Sequence, residues 1–315
     1  MSDVLILAVP SKGRLKDQVE AWLQDCNLSL AASGGDRGYS AELKGVAGIS
    51  VRLLSAGDIA EALQAGEVHL GVTGEDLLRE RGPNIDRDVL LLQPLGFGRA
   101  DLVVATPKSW LDVDTMADLE DVAHDMLART GRRMRVATKY LAQTRTFFAR
   151  HGLSDYRIAE SAGATEGAPA AGAAECVVDI TTTGATLKAN GLKILKDGVI
   201  LKSQAHLAAS RVATWTAGQM TSAESLLRIL EARAAARAGA TLIWPSQLGD
   251  DDLMRQFEAL GASRRPNGLL VPRSRVAEIS MALTAAGRGP VTVSRPDFVF
   301  ESQSPATEAL RAYCG

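Results

Sequence analysis

Val177-Val178-Asp179-Ile180-Thr181-Thr182-Thr183-Gly184-Ala185-Thr186-Leu187 sets an apolar β-branched run ahead of an acid, then a threonine-rich turn around one glycine. That order predicts a buried strand, a tight turn and a helix start. Such a turn would aim backbone N–H groups and up to four hydroxyls at one point. Helix N-termini and backbone nests bind anions because those donors are unpaired and the dipole adds positive charge. The spacing is not the G-x-x-x-x-G-K-[ST] of a nucleotide P-loop. An acid followed by Thr-Gly-x-Thr suits a sugar 5-phosphate, with Asp179 within reach of ribose hydroxyls or a bound Mg²⁺. The competing reading is a plain helix cap, the ordinary use of Thr.

The chain around it is a soluble globular type: 315 residues, 46% hydrophobic and 23% charged, a length for two or three compact units. Aromatics make up only 4%, so Ala, Val, Leu and Ile must fill the cores. A net charge of -2 excludes a generally basic nucleic-acid binder. Cys26, Cys176 and Cys314 are far apart and odd in number, which supports neither a disulfide framework nor a zinc site. His69, His124, His151 and His206 show no ligand spacing and read as structural or surface residues. The apolar run 4–9 is broken by Pro10 and Lys12, so it is neither a signal peptide nor a membrane span. A cytoplasmic protein is expected.

In chain order, 4–9 reads as a strand covered on both faces, and 17–23 carries a helical pattern. Lys12 and Arg14 fall at the turn between them, where an open sheet binds ligand; a solvated basic loop is the alternative. The glycine-rich stretch 34–39 does not fit a dinucleotide fingerprint and offers Arg37 as a weak anion contact. Arg52 lies in a predicted strand 49–54 and is a candidate phosphate contact. Ser55 or Asp58 would cap a short helix. Strand 68–72 leads to Thr73 and Gly74, candidate walls of a cleft, while Glu75 and Asp76 read as ordinary acids of a helix's first turn. Gly96 and Gly98 suggest a hinge between lobes. Further on, 116–127 and 139–151 read as helices, and 134–138 and 156–160 as strands. Arg129 to Arg133 form a solvated turn, since no aromatic interleaves them as in a single-strand nucleic-acid platform. Glu166 sits among small residues that let a ligand approach the backbone; it could bind ribose hydroxyls or Mg²⁺, or be a helix N-terminal acid. Residues 201–207 return the chain to the first lobe, and 223–238 form one helix. The tail carries strands near 241–244, 269–271, 291–293 and 298–300, with helices at 251–260 and 274–286.

Six stretches in order carry a resemblance. They are Pro10-Ser11-Lys12-Gly13-Arg14-Leu15, Leu70-Gly71-Val72-Thr73-Gly74-Glu75-Asp76-Leu77, Leu95-Gly96-Phe97-Gly98, Arg135-Val136-Ala137-Thr138-Lys139-Tyr140, Gly163-Ala164-Thr165-Glu166-Gly167-Ala168-Pro169 and the turn from Asp179 to Leu187. Together they are spread over roughly the first two thirds of the chain, and their joint occurrence is far more specific than any one of them. The sequence resembles the ATP phosphoribosyltransferase family, which opens histidine biosynthesis.

The resemblance implies an α/β fold with a two-lobed, periplasmic-binding-protein-like core, the second lobe inserted in the first, and a small C-terminal α/β unit. The expected bounds are 1–98 with 202–238 for the first lobe, 99–201 for the second, and 239–315 for the tail. It implies transfer of the 5-phosphoribosyl group from phosphoribosyl pyrophosphate to adenine N1 of ATP, with release of pyrophosphate. Thr182, Thr183, Gly184, Ala185 and Thr186 would hold the 5-phosphate. Asp179 and Glu166 would face the ribose or Mg²⁺, and Lys12, Arg14 and Arg52 would stabilise the diphosphate and ATP phosphates. Thr73, Gly74 and Lys139 complete the substrate-binding set. Family members form homo-oligomers; some carry a ferredoxin-like tail that binds histidine as feedback inhibitor, and others pair with a regulatory subunit similar to histidyl-tRNA synthetase. Neither nucleic acid nor a membrane is an expected partner. Two rivals stand beside this: a non-catalytic solute-binding module, and a phosphoribosyltransferase for another base such as nicotinate or orotate.

Overall fold

The computed structural model describes residues 3–32, 40–161, 163–245 and 251–314. The stretch with Arg37 lies outside the described residues. The first lobe runs through β1 (Leu5–Pro10), α1 (Gly13–Asp25), β2 (Ser29–Ala32), β3 (Ser40–Lys44), β4 (Ile49–Leu54), α2 (Ala56–Ala65), β5 (Leu70–Gly74), α3 (Glu75–Glu80), α4 (Ile85–Asp88) and β6 (Val89–Pro94). β1 and β5 are central and carry almost unbroken apolar or small residues, as strands covered on both faces must. Ser55 caps α2, its hydroxyl accepting the Asp58 N–H at 3.2 Å.

The second lobe follows as β7 (Ala100–Pro107), α5 (Met116–Thr130), β8 (Met134–Thr138), α6 (Leu141–Arg150), β9 (Tyr156–Glu160), β10 (Cys176–Thr181), α7 (Ala185–Ala189) and β11 (Leu192–Ser203). β10, read from 177–181, pairs with β7 and β8 in the middle of this sheet. β11 was not legible in the sequence. It lies at the sheet edge, where Lys193, Lys196, Asp197 and Lys202 interrupt the apolar pattern and the register shifts; edge strands carry charges and bulges that discourage further pairing. The chain returns through β12 (Ala205–Ser210), which enters the first sheet between β5 and β6, and α8 (Ala217–Ala238). α8 starts six residues earlier than the apolar pattern suggested. Thr216 and Gln219 form a capping box, each bonding the other's backbone N–H. The first sheet has the order β2-β3-β4-β1-β5-β12-β6 and the second β11-β7-β10-β8-β9. The α/β core is therefore two-lobed, the second sheet made from residues between two strands of the first.

The tail comprises β13 (Gly239–Ile243), α9 (Asp251–Ala259), β14 (Ser263–Arg265), β15 (Gly268–Pro272), α10 (Val276–Ala285), β16 (Thr292–Ser294) and α11 (Pro305–Cys314). Up to β16 this is a β-α-β-β-α-β unit with antiparallel order β14-β15-β13-β16, the ferredoxin-like arrangement. Its core is Leu242, Met254, Phe257, Leu269, Val271, Ile279 and Leu283. Residues 298–300 form no strand; Phe298 and Phe300 stack at 6.0 Å, and the Val299 N–H bonds Ala232 O of α8. α11 leaves the tail and packs on the first lobe, with Ala306 and Leu310 buried in the cluster that holds Leu226 and Leu230. Among the described residues no helix is long and apolar enough to cross a membrane.

Candidate active site

Strand ends put most of the candidates on two facing edges. β1, β4 and β5 run parallel, so Pro10, Leu54 and Gly74 end on one edge of the first sheet. Both crossovers leave from there, since Ala205 pairs with Gly74 and His206 with Pro94. In the second sheet β8, β9 and β10 are parallel. Thr181 at the end of β10 pairs with Asp101 at the start of β7, and Ala100 pairs with Ser203. The carboxyl edges of the two sheets therefore meet across the crossovers, which is where open α/β sheets bind ligand. The crossovers bond each other: Ala205 N–H to Phe97 O at 2.9 Å, and Gly96 N–H to Gln204 Oε1 at 3.1 Å.

On the first edge, Lys12 is the N-cap of α1 and Arg14 lies in its first turn, which holds no acid. Both side chains are exposed, and neither has a hydrogen-bond or ion-pair partner among the described residues. A helix N-terminus is already positive and ordinarily attracts acids, so two cations there add to a positive charge that no acid of the first turn balances. Gly74 caps α3. Thr73 is fully buried, and its hydroxyl donates to Ala56 O at 2.7 Å, so its side chain secures α2 and only its backbone can wall the cleft. Arg52 is not brought to this edge. Its Nη1 donates to Glu67 O at 3.3 Å, ahead of β5, toward the amino ends of the strands.

On the second edge, β10, the turn and α7 form the strand–turn–helix read from the sequence. Gly184 takes φ 73° as the N-cap of α7, a left-handed conformation that suits glycine. The turn is more self-contained than its composition suggested. Thr181 Oγ1 accepts the Gly184 N–H at 2.8 Å, Thr183 Oγ1 accepts the Ala185 N–H at 3.3 Å, and the Thr182 hydroxyl donates to Arg99 O at 3.1 Å. Thr182, Thr183, Ala185 and Thr186 are all exposed. The threonines thus preorganise the loop and present its surface to solvent.

Asp179 lies half-buried just before the turn, and its Oδ1 accepts the Ile180 N–H at 2.8 Å. Burial raises its pKa; the Ile180 N–H and the Lys139 charge oppose the rise, and Glu166 adds to it. Lys139, Glu166 and Asp179 thus share one electrostatic neighbourhood. Among the described residues no group of three or more His, Cys, Asp or Glu converges as a metal cage.

Sequence reasoning missed the polar joint behind the cleft. Asp76, read as a capping acid, is only 5% exposed. It accepts the Tyr140 hydroxyl at 2.8 Å and the Ser203 hydroxyl at 2.8 Å. No local pattern flags these partners, which are 64 and 127 residues away. Of the histidines, read as structural or surface residues, His124 and His151 are exposed, while the buried His69 accepts the Ile6 N–H at its Nδ1, at 3.1 Å, and burial lowers its pKa. Burial pushes the Cys26 thiol up to about 11 and the Cys176 thiol higher still, so both are inert.

A sequence model of the ATP phosphoribosyltransferase family matches residues 55–232. The chain is 64% identical to the ATP phosphoribosyltransferase of Caulobacter vibrioides over 318 residues, covering 99% of each chain. It is 47% identical to that of a Bradyrhizobium strain over 322 residues, again covering 99% of each. Among solved structures it is similar to the ATP phosphoribosyl transferase (HisG:HisZ) complex from Thermotoga maritima, at 26% identity and a TM-score of 0.56, covering 72% of this chain and 96% of that one. Full-length identity at this level, on a fold with its carboxyl edges opposed, leaves one conclusion: the chain belongs to the ATP phosphoribosyltransferase family, whose reaction is the first step of histidine biosynthesis.

Proposed function

We propose that the two edges divide the work of moving the 5-phosphoribosyl group from phosphoribosyl pyrophosphate to adenine N1 of ATP. Adenine N1 is largely unprotonated at neutral pH, so the nucleophile needs no activating base. The difficulty lies in charge: the anomeric carbon turns positive as the diphosphate departs. On the second edge the turn from Thr182 to Thr186 holds the 5-phosphate, and Asp179 and Glu166 face the ribose. Lys12 and Arg14 stand on the opposite edge and stabilise the leaving diphosphate and the ATP phosphates. Thr73 and Gly74 supply backbone wall, and Lys139 reaches the donor from the second lobe. The observation that carries this reading is the α1 N-terminus with two cations and no acid.

Mg²⁺ fits the donor set. Asp179 and Glu166 offer hard oxygens on one side, and the ion ordinarily takes one or two carboxylates and completes its shell with substrate phosphates and water. When bound, it supplies positive charge to the departing diphosphate. We place the reaction in the cytoplasm, where ATP is abundant.

Asp179→Asn tests the ribose assignment. It keeps an acceptor for the Ile180 N–H and removes the charge, and transfer is expected to fall about a hundredfold. The stability effect has the opposite sign. The folded pKa is raised, so the native state holds its proton more tightly than the unfolded chain, and stability is lost as pH rises through that range. Asparagine removes this penalty, so the variant should melt higher at neutral pH, with the gain fading below about pH 4. Thermal melts across pH, with a pyrophosphate-release assay, check both. Unchanged transfer would remove Asp179 from the site.

The ferredoxin-like strand order favours regulation within this chain over a separate regulatory subunit. More than a quarter of the chain has no counterpart in the Thermotoga alignment, and the tail has the size and order for a built-in histidine-binding unit. Calorimetric titration of histidine into the purified chain should show saturable heat. A flat titration, with activity raised by a histidyl-tRNA-synthetase-like protein, would favour the partner-subunit arrangement.

A further inference from the structure

Behind the cleft the two lobes meet at a buried acid. Asp76 belongs to α3 of the first lobe. Its Oδ1 accepts the Ser203 hydroxyl and its Oδ2 the Tyr140 hydroxyl, each at 2.8 Å. Its own N–H donates to Ser203 Oγ at 3.0 Å, and its carbonyl accepts Gln143 Nε2 at 2.9 Å. Ser203 ends β11 at the crossover, and Tyr140 and Gln143 belong to the second lobe. One turn further along α3, Glu80 accepts the Ala142 and Gln143 N–H groups at 2.8 and 3.2 Å, so an acid of one lobe caps a helix of the other.

The joint does not end at the pin. Tyr140 is 1% exposed and is fixed at two points besides its hydroxyl: its N–H donates to Thr138 Oγ1 at 2.9 Å, and its carbonyl accepts the Thr144 hydroxyl at 2.5 Å. Its ring lies beneath the Lys139 ammonium, 5.1 Å from nitrogen to centroid. Burial, and then the charge of Asp76, raise the phenol pKa well above its usual range, so the hydroxyl stays a donor at any working pH. A phenol that donates to a carboxylate has a more electron-rich ring, and an electron-rich face holds a cation better. Lys139 in turn acts on Asp179.

We propose that Asp76 is a positioning residue acting through Tyr140: it fixes the ring that seats Lys139, so that this cation meets the phosphoribosyl donor only when the lobes are docked at Asp76. The proposal rests on the substrate-facing role assigned to Lys139 above. It gives that cation a second function, as a report of lobe docking. A merely structural pin would change stability and leave donor affinity alone.

Tyr140→Phe keeps the ring and removes the hydroxyl, and Asp76→Asn keeps the shape and removes the charge. Each is expected to raise the KM for phosphoribosyl pyrophosphate about five-fold, with kcat within about twofold and the KM for ATP unchanged. Lys139→Ala should raise the same KM at least as far. The double variant Tyr140→Phe with Lys139→Ala should be no worse than Lys139→Ala alone, since groups that act in series do not add. If Lys139→Ala leaves the donor KM unmoved, the reading of Lys139 falls and this proposal falls with it. If Lys139→Ala raises it while Tyr140→Phe does not, or if the two effects multiply in the double variant, the relay is overturned and the role of Lys139 stands.

Discussion

Arg14→Ala is expected to lower turnover about 10²–10³-fold, the usual loss when one preorganised charge contact to a reacting group is removed, while the melting temperature holds or rises. Both halves follow from the start of α1. Lys12 caps the helix without a side-chain hydrogen bond, and the first turn carries Arg14 and no acid. Aligned peptide dipoles leave positive charge at that end, and a cation placed there raises the energy of the fold. The two side chains are exposed, so solvent screens much of the repulsion. What remains has no structural benefit to offset it, because neither side chain has a partner among the described residues. A residue that stabilised the fold would lose activity and stability together; one placed for an anionic transition state loses only activity. Steady-state pyrophosphate release and a thermal melt of the same preparation separate these cases. Undiminished turnover would release Arg14 from the assignment.

Gly74→Ala is expected to destabilise the protein by about 2–4 kcal/mol, within the range for disturbing a buried hydrogen-bonded carboxylate. A Cβ at position 74 would lie 2.3 Å from Asp76 Oδ1, closer than any nonbonded pair tolerates. An exposed carboxylate would swing aside. This one accepts hydroxyls from Ser203 and Tyr140 within the joint, so displacing it strands two buried donors as well as its own charge. Urea unfolding of the variant measures the loss, and a midpoint equal to the parent's would show that the joint yields more easily than its hydrogen bonds imply. The close approach also explains the glycine without appeal to backbone freedom, since its φ is an ordinary -73°.

The legible parts of the fold were those written in local pattern. The run into Thr181 and Gly184 gave the central strand, turn and helix of the second lobe, because β-branched residues and a left-handed glycine have few other uses together. The start of α1 was less clear because Lys12 is an unusual cap, and the start of α8 was hidden behind a capping box set apart from the apolar face. β11 was missed because an edge strand carries charges that break alternation. The facing edges follow from the strand order of the folded chain, and the sequence pointed to a cleft between lobes only through the family resemblance, whereas Arg52, a candidate by residue type, reaches the other way, to Glu67 O. Asp76 was discounted because an acid in a helix's first turn has a sufficient local explanation. Its partners lie far along the chain, and contact between distant residues leaves no periodic trace.

The last helix changes what the tail can be. Because α11 returns to seal the first lobe beside Leu226 and Leu230, the ferredoxin-like unit is moored at both ends, by the continuous run from α8 into β13 and by this closing segment. Shortening the polypeptide after Ala238 would therefore strip a wall from the first lobe as well as deleting the ferredoxin-like unit. A deformation of that module has two handles by which to pull, one covalent through α8 and one a packed helix.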